Sequence, residues 1–492
     1  MSWLEQLPAL VIVLPLLAAP VALLLRRPGL SRWLAIAVTW VAFGMSCVLL
    51  SQVWSGPPIH YWMGGWAPPL GIELVIDIAN AFLLVLVTGI ASVVLPFGPG
   101  SANLAIPEGK RHLFYAAFLL CITGLSGISA TGDAFNVFVF LEITSLSSYT
   151  LIGLGKGRRA LMAAFSYLVM GTIGGTFILI GIGLLYQMTG TLNMADLAER
   201  LPAVMETRTV LVAFGFLVVG SSIKLAVFPL HQWLPNAYSY APSMVSAFVA
   251  ATSTKVSYYV LVRVLFTFFG AAFVFDTLNF DWLLLPLSVI AMFVGSFAAI
   301  FQTGIKRLLA YSSIAQVGYM TLGLAMNDVT GLQGGLIHLF NHGITKGGLF
   351  LVVACMTYRL NSNKIEDMAG LGRRMPLTFL AFVVGGMSLI GVPGTAGFIS
   401  KWYLVQSALD KGWWWLAVLI LLSSLLAVAY VWKVIEVAWL RQPPEGKDHT
   451  PAPVSMVGPA WVLIGATVVF GLWTEVTSGA SLKAAQMFLG VE

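Results

Sequence analysis

Five charges fall where a membrane chain can least tolerate them. Glu142, Lys224, Lys255, Lys346 and Lys401 each lie inside an apolar stretch long enough to span a bilayer. A charge at the centre of a spanning helix is unfavourable by about 2.5–3.5 kcal/mol. Five would consume much of the roughly 5–15 kcal/mol of net stability that an ordinary fold possesses. Titratable groups kept at such a penalty face a bundle interior or a water-filled path, and they move protons or ions. The densest polar run, HLFNHGITK (338–346), sharpens this. His338, His342 and Lys346 are four residues apart, so on a helix their nitrogens stack along one face, flanked by Asn341 and Thr345. Imidazoles titrate near neutrality, which favours a proton-relay stripe. Two histidines at this spacing also hold zinc in other proteins, but no acid or cysteine accompanies them here and a lysine one turn on repels a cation. A satisfied structural histidine pair is the remaining alternative. Glu142 is the one acid deep within an apolar stretch, and a buried carboxylate calls for a cation. Lys224 is its first-choice partner, as a switch or as a purely structural ion pair.

The elements that must position these groups are membrane helices. Of 492 residues 59% are hydrophobic and only 9% charged, and the mean hydropathy is +0.90. This is the composition of a polytopic membrane protein. Fourteen apolar runs stand out, near 7–25, 34–53, 76–96, 112–130, 134–154, 160–186, 208–228, 243–268, 282–302, 308–327, 331–358, 376–400, 412–438 and 456–474. An even number puts both termini on one side. Seventeen basic residues, among them Arg26, Arg27, Lys156, Arg159, Arg307, Arg374 and Lys447, fall in one set of loops, against Arg200, Arg208, Lys411 and Lys483 in the other. The positive-inside rule therefore places both termini away from the cytoplasm, with a bacterial cytoplasmic membrane as the expected location. Arg263 lies in the outer third of its stretch, where it is expected to snorkel to the interface.

Other function classes fit poorly. The net charge of +6 comes from short loops and does not argue for nucleic acid. Cys47, Cys121 and Cys355 stand singly in apolar stretches, against zinc or iron–sulfur sites. The start, MSWLEQ, lacks the basic region of a cleavable signal, so the first run is expected to be retained. GLGKGR (153–158) lacks the hydroxyl residue after its lysine, and GTIGGT (171–176) sits inside an apolar stretch where small residues let helices approach, so neither reads as a nucleotide loop. No cofactor is expected, and no loop has room for a soluble catalytic domain. Residues 192–202 are expected to pack as a loop, with a short amphipathic surface helix as the alternative.

Two stretches are interrupted. KLAVFPLHQWLPNAYSYAP carries Pro229, His231, Pro235 and Pro242, and its prolines cannot continue a regular helix. The second interruption is Gly391-Val392-Pro393-Gly394, shortly before Lys401. Broken helices at membrane depth are tolerated where they are buried in protein or line a wet cavity. Paired breaks mark inverted repeats. If stretches four to eight form one unit and nine to thirteen another, each break falls in the fourth helix of its unit and each carries a lysine. The expected fold is all-α, with about fourteen spans and two inverted five-helix repeats. The corresponding domains are 1–111, 112–268, 269–438 and 439–492.

FLEITSLSSY, IKLAVFPLHQWLPNAYSYAPSMVSA, KRLLAYSSIAQVGYM and HLFNHGITKGGLF resemble the proton-translocating, antiporter-like membrane subunits. These subunits occur in respiratory complex I, membrane-bound hydrogenases and multisubunit Mrp-type cation/proton antiporters. The resemblance implies that Glu142 pairs with Lys224, that Lys255 is the central lysine, that His338, His342 and Lys346 continue the path, and that Lys401 is the exit-side residue. The segment NVFVFLEITSLSSY is most similar to the D-type branch of the Mrp antiporter subunits. Lys401 departs from the complex I type, which places a glutamate there. A chain ending soon after its fourteenth span departs from the large subunit that carries a long lateral helix. The implied activity is exchange of protons for a monovalent cation, sodium first, beside other membrane subunits in a lipid bilayer. The alternative is a pumping module of a redox complex with its redox centres on partner subunits.

Overall fold

The structure is a computed structural model and describes residues 3–97, 106–155, 157–442 and 451–491. Met1, Ser2, Lys156 and Lys447, used in the sequence readings above, lie outside the described residues. All fourteen apolar stretches are helical. In chain order the helices are α1 (Leu7–Leu24), α2 (Pro28–Val53), α3 (Ile78–Val94), α4 (Arg111–Ala130), α5 (Ala134–Gly153) and α6 (Arg158–Thr189). The first broken stretch gives α7 (Arg208–Leu225) and α8 (Leu234–Tyr240). There follow α9 (Ser243–Val262), α10 (Asp281–Ile300), α11 (Ile305–Ala325) and α12 (Val329–Leu360). The second broken stretch gives α13 (Pro376–Ile390) and α14 (Ala396–Asp410), before α15 (Trp414–Ile435), α16 (Val454–Leu472) and α17 (Glu475–Leu489). Among the described residues 12 helices are long and apolar enough to cross a bilayer, or up to 13 if a bent pair ending in α13 counts as one span. The chain is an all-α multi-pass membrane protein.

Burial sorts the helices into layers. The apolar cores of α9 and α12 are buried along their whole length, whereas those of α2, α15 and α16 are only 33% buried. The two central helices are the ones that carry Lys255, His338, His342 and Lys346. Polar side chains therefore sit where protein, not lipid, surrounds them. The longer of these two, α12, packs against α3, α9, α11, α13, α14, α16 and α17, and forms the axis of the molecule.

Both breaks have local causes. α7 stops where Ala226 turns left-handed (φ 63°) three residues before Pro229. α13 stops at Gly391, whose φ of 90° is a conformation that glycine alone adopts without strain.

Four features differ from the sequence expectations. Residues 194–200 form a helix, capped by Asn193 Oδ1 accepting from the Ala195 and Asp196 amides, so the packed-loop reading is corrected. Residues 475–489 form the further helix α17. β1 (Ile59–Trp62) and β2 (Glu73–Ile76) form an antiparallel hairpin in register Ile59 with Ile76. Finally, Arg263 does not snorkel. Its guanidinium bonds Asp77, the N-cap of α3, and Tyr259 Oη at 2.8 Å, and its side chain is 13% exposed. A carboxylate 186 residues away in sequence holds it in place of water.

Candidate functional site

The structure brings Glu142 and Lys224 together. Lys224 Nζ donates to Glu142 Oε1 at 3.3 Å and to Ser145 Oγ at 2.7 Å. The two α5 partners lie three residues apart and so share a helix face. Gly175 on α6 makes room for the carboxylate, because a Cβ there would collide with Glu142 Oε1. The glycine-rich segment 171–176 thus serves close packing at an ion pair. Lys224 is buried, while the Glu142 side chain is 27% exposed. The frayed end of α7 is closed by Trp233, whose Nε1 donates to the Ile223 carbonyl at 2.9 Å. Pro229 and Pro235 build this turn. His231 stacks on Phe228 at 5.3 Å between ring centroids, and its Nδ1 has no partner among the described residues.

At the centre of the molecule Lys255 is fully buried. Its ammonium donates to the Ala250 carbonyl at 2.6 Å and to Thr254 Oγ1 at 3.2 Å, both on its own helix. Lys346, equally buried, donates to the Leu309 carbonyl at 2.8 Å and to Ser312 Oγ at 2.5 Å on α11. Along α12 the imidazoles of His342 and His338 are stacked 5.8 Å apart. Eight residues separate Lys346 from His338, about 12 Å along the helix axis. His338 Nδ1 is 2.8 Å from Ser400 Oγ on α14. Both nitrogens of His342, together with His338 Nε2 and Asn341 Oδ1, are buried without a partner among the described residues. A native interior leaves few such atoms, and four of them lie on or beside this one stripe.

The second break takes the stripe over. Asn341 Nδ2 donates to the Ala396 carbonyl at 2.6 Å, and Thr345 Oγ1 lies 3.0 Å from Ser388 Oγ. Lys401 Nζ donates to the Leu389 and Ile390 carbonyls at 2.9 Å each and to Ser424 Oγ at 3.0 Å. The ammonium therefore caps the carboxyl end of α13, where the helix dipole favours a cation. It also sits 4.6 Å from the ring of Tyr319, whose ring is in turn 5.5 Å from His338. Pro393 lies in the turn between the half-helices.

Of the sequence-predicted residues, Glu142 meets Lys224 directly, and His338 and Lys401 lie against the same Tyr319 ring. Lys255 makes no direct bond to another predicted site residue. Its helix packs along α12, where the rest of the stripe lies. Sequence reasoning missed Ser145, Ser312, Ser400, Ser424, Tyr319 and Trp233. Ser145 stands one helical turn from Glu142, Ser400 directly precedes Lys401, Trp233 closes the turn after Lys224, and Ser312, Ser424 and Tyr319 meet a buried charge across packed helices. A search for hydroxyls spaced three or four residues from such charges finds Ser145.

Residues 131–427 match the family described as NADH:quinone oxidoreductase/Mrp antiporter, TM. The chain is 43% identical over 488 residues, 96% of each protein, to "NADH-quinone oxidoreductase subunit N" of Desulforudis audaxviator (strain MP104C). It is 30% identical over 483 residues to the D-type member of the "Na(+)/H(+) antiporter" of Bacillus subtilis (strain 168), covering 98% of this chain and 97% of that one. Its fold superposes on a chain of the Mrp complex from Dietzia sp. DQ12-45-1b with a TM-score of 0.90 at 25% identity, covering 99% of this chain and 98% of that chain.

Proposed function

The chain belongs to the NADH:quinone oxidoreductase/Mrp antiporter membrane family, and from that premise we propose that it is the proton-translocating subunit of a multisubunit monovalent cation/proton antiporter. The observation that carries this is the stripe of buried titratable side chains on α12, bounded at one end by a broken helix whose Lys401 lies against the same Tyr319 ring as His338. Glu142 and Lys224 form the entry switch. While the pair is closed the carboxylate holds the ammonium, and when it opens Lys224 passes its proton toward Lys255. Lys346, His342 and His338 carry it along α12 to Lys401 and the exit side. Sodium is the cation expected in exchange, in keeping with the name of the Bacillus relative. The excess of basic residues in one set of loops supports both termini lying outside a bacterial cytoplasmic membrane, with units 112–268 and 269–438 as the two inverted halves of the path.

Partner subunits follow from an exposed charge. Glu142 lies on α5 between the exposed side chains Phe135 (41%) and Leu146 (56%), on the outward stripe of the helix. A carboxylate facing acyl chains is unfavourable, so a neighbouring membrane subunit covers it. The likeness to a chain of an Mrp complex supports this.

The test is cation-driven dissipation of a pH gradient in inverted membrane vesicles carrying the whole complex. Lys255→Arg keeps the charge but not the exchangeable proton, because a guanidinium does not deprotonate in proteins. Antiport is expected to fall to background in that variant, and full activity would show that only a fixed charge is needed.

A second reading has one observation in its favour. The 43% identity to the Desulforudis oxidoreductase protein is higher than the 30% identity to the Bacillus antiporter protein. A subunit of a redox-driven pump would use the same path. Proton pumping driven by an electron donor, in place of a response to added sodium, would select it.

A further inference from the structure

On the face of the molecule that carries the basic loops, an open cavity of about 270 Å³ is enclosed by α8, the starts of α9 and α11, and the end of α12. Lys306 is on its wall. The residue is only 5% exposed, takes part in no ion pair among the described residues, and uses one of its three donors, on the Ala241 carbonyl at 3.2 Å. Among the described residues, no aspartate or glutamate lines the cavity. Asp367, bonded to the lining residue Ser362, already accepts from its Oγ at 2.5 Å. The lining offers donors from several directions: the hydroxyls of Ser243 and Tyr358 and the amides of Asn361 and Asn363. The helices that begin here, α9 at Ser243 and α11 at Ile305, have no side-chain cap, so their positive ends add to the field of Lys306. At the rim the Arg159 guanidinium lies over the Tyr240 ring.

We propose that this cavity is a binding site for a phosphate-type oxyanion, with Lys306 as its charge anchor. Unlike Lys255, Lys346 and Lys401, which are held by two or three acceptors in closed packing, Lys306 borders an open cavity and has one bond, so its ammonium can take an anion there. The surrounding hydroxyl and amide donors suit a group with several oxygens, and lysine binds phosphate as a point charge. The cavity also exceeds what one chloride fills. The phosphate belongs either to a free anion in solution or to the headgroup of an anionic phospholipid. The site stands apart from the stripe on α12: Ala354, on its wall, is eight residues beyond Lys346, about 12 Å along the helix. Its occupancy is therefore readable without any transport assay.

The test uses the purified complex in nanodiscs of zwitterionic lipid, titrated with inorganic phosphate against chloride of equal ionic strength. A saturable rise in the unfolding temperature is expected, because a ligand that binds only the native state stabilises it. Lys306→Gln is expected to weaken the apparent affinity at least roughly tenfold, while Lys306→Arg retains it. Asn361→Asp provides a second variant should the glutamine protein fold poorly. It places a carboxylate in the cavity, and the phosphate response should vanish while the protein stays folded. In a parallel arm, native mass spectrometry counts anionic lipids retained by wild type and Lys306→Gln from mixed nanodiscs without phosphate. Lys306-dependent binding in either arm supports the site and identifies the source. A response to neither probe, or one that is the same in wild type and Lys306→Gln, overturns it.

Discussion

The two breaks place a lysine beside a severed helix end and then use it differently. At the first, the Ala226 amide and Trp233 both donate to the Ile223 carbonyl of α7, and Lys224 turns to Glu142 and Ser145. At the second no indole is supplied, and Lys401 itself caps the Leu389 and Ile390 carbonyls beside Ser424. One ammonium faces a charge and can be switched by it. The other faces only neutral acceptors, held by a helix end. A proton acceptor that must respond to a partner subunit needs the first arrangement, and a release site needs the second. In the proposed mechanism Lys224 takes the first role and Lys401 the second.

The largest effect that would break this contrast is at Lys401. Lys401→Met strands two buried carbonyls, each worth about 1–3 kcal/mol when left without a donor. It should abolish transport and destabilise the protein more than Lys224→Met does, because Trp233 still serves the first break. Equal stabilities in denaturant unfolding of the detergent-solubilised complex would mean that Lys401 is no cap.

Replacing His338 and His342 together with leucine comes next. Leucine suits a buried helix and three of the four ring nitrogens have no partner to lose, so stability should change by about 1 kcal/mol. Transport in vesicles should nevertheless fall at least tenfold. Normal flux would leave the pair as packing.

The smallest effect sharpens the account of the first break. Trp233→Phe keeps the stack on Tyr167, whose ring lies 4.0 Å away, but loses the bond to Ile223, worth about 0.5–1.5 kcal/mol. Transport should persist at a reduced rate, because the turn that follows Lys224 loses one of the bonds that fix it. A variant with unchanged stability and unchanged flux would remove Trp233 from the comparison.

What could be read in the sequence follows from contrast. Lys224, Lys255, Lys346 and Lys401 announce themselves as charges in apolar runs, and Pro229, Pro235, Gly391 and Pro393 as helix breakers in the same runs. Four-residue spacing alone aligned His338, His342 and Lys346. Their partners were hidden for the opposite reason. Ser145 was within reach by its three-residue spacing from Glu142, but Ser312, Ser400 and Ser424 are ordinary small residues of membrane helices, and only tertiary packing selects them. Arg263 was misjudged because its partner, Asp77, stands 186 residues away. The hairpin escaped notice because each strand has four residues, too few for alternation to register. The helix 194–200 carries a plain N-cap signal in Asn193, which outweighed the loop reading.

Coupling at the Glu142–Lys224 pair is the core of the proposed mechanism, and Lys224→Ala addresses it most directly. Removing one partner of a buried pair typically costs about 3–5 kcal/mol while the remaining group stays charged, and a buried carboxylate without its cation becomes neutral instead. The assembled complex should therefore survive the substitution. Cation-driven proton movement in inverted vesicles, normalised to assembled complex, should drop at least tenfold. Wild-type flux in an assembled Lys224→Ala complex would contradict the assignment of this pair as the switch.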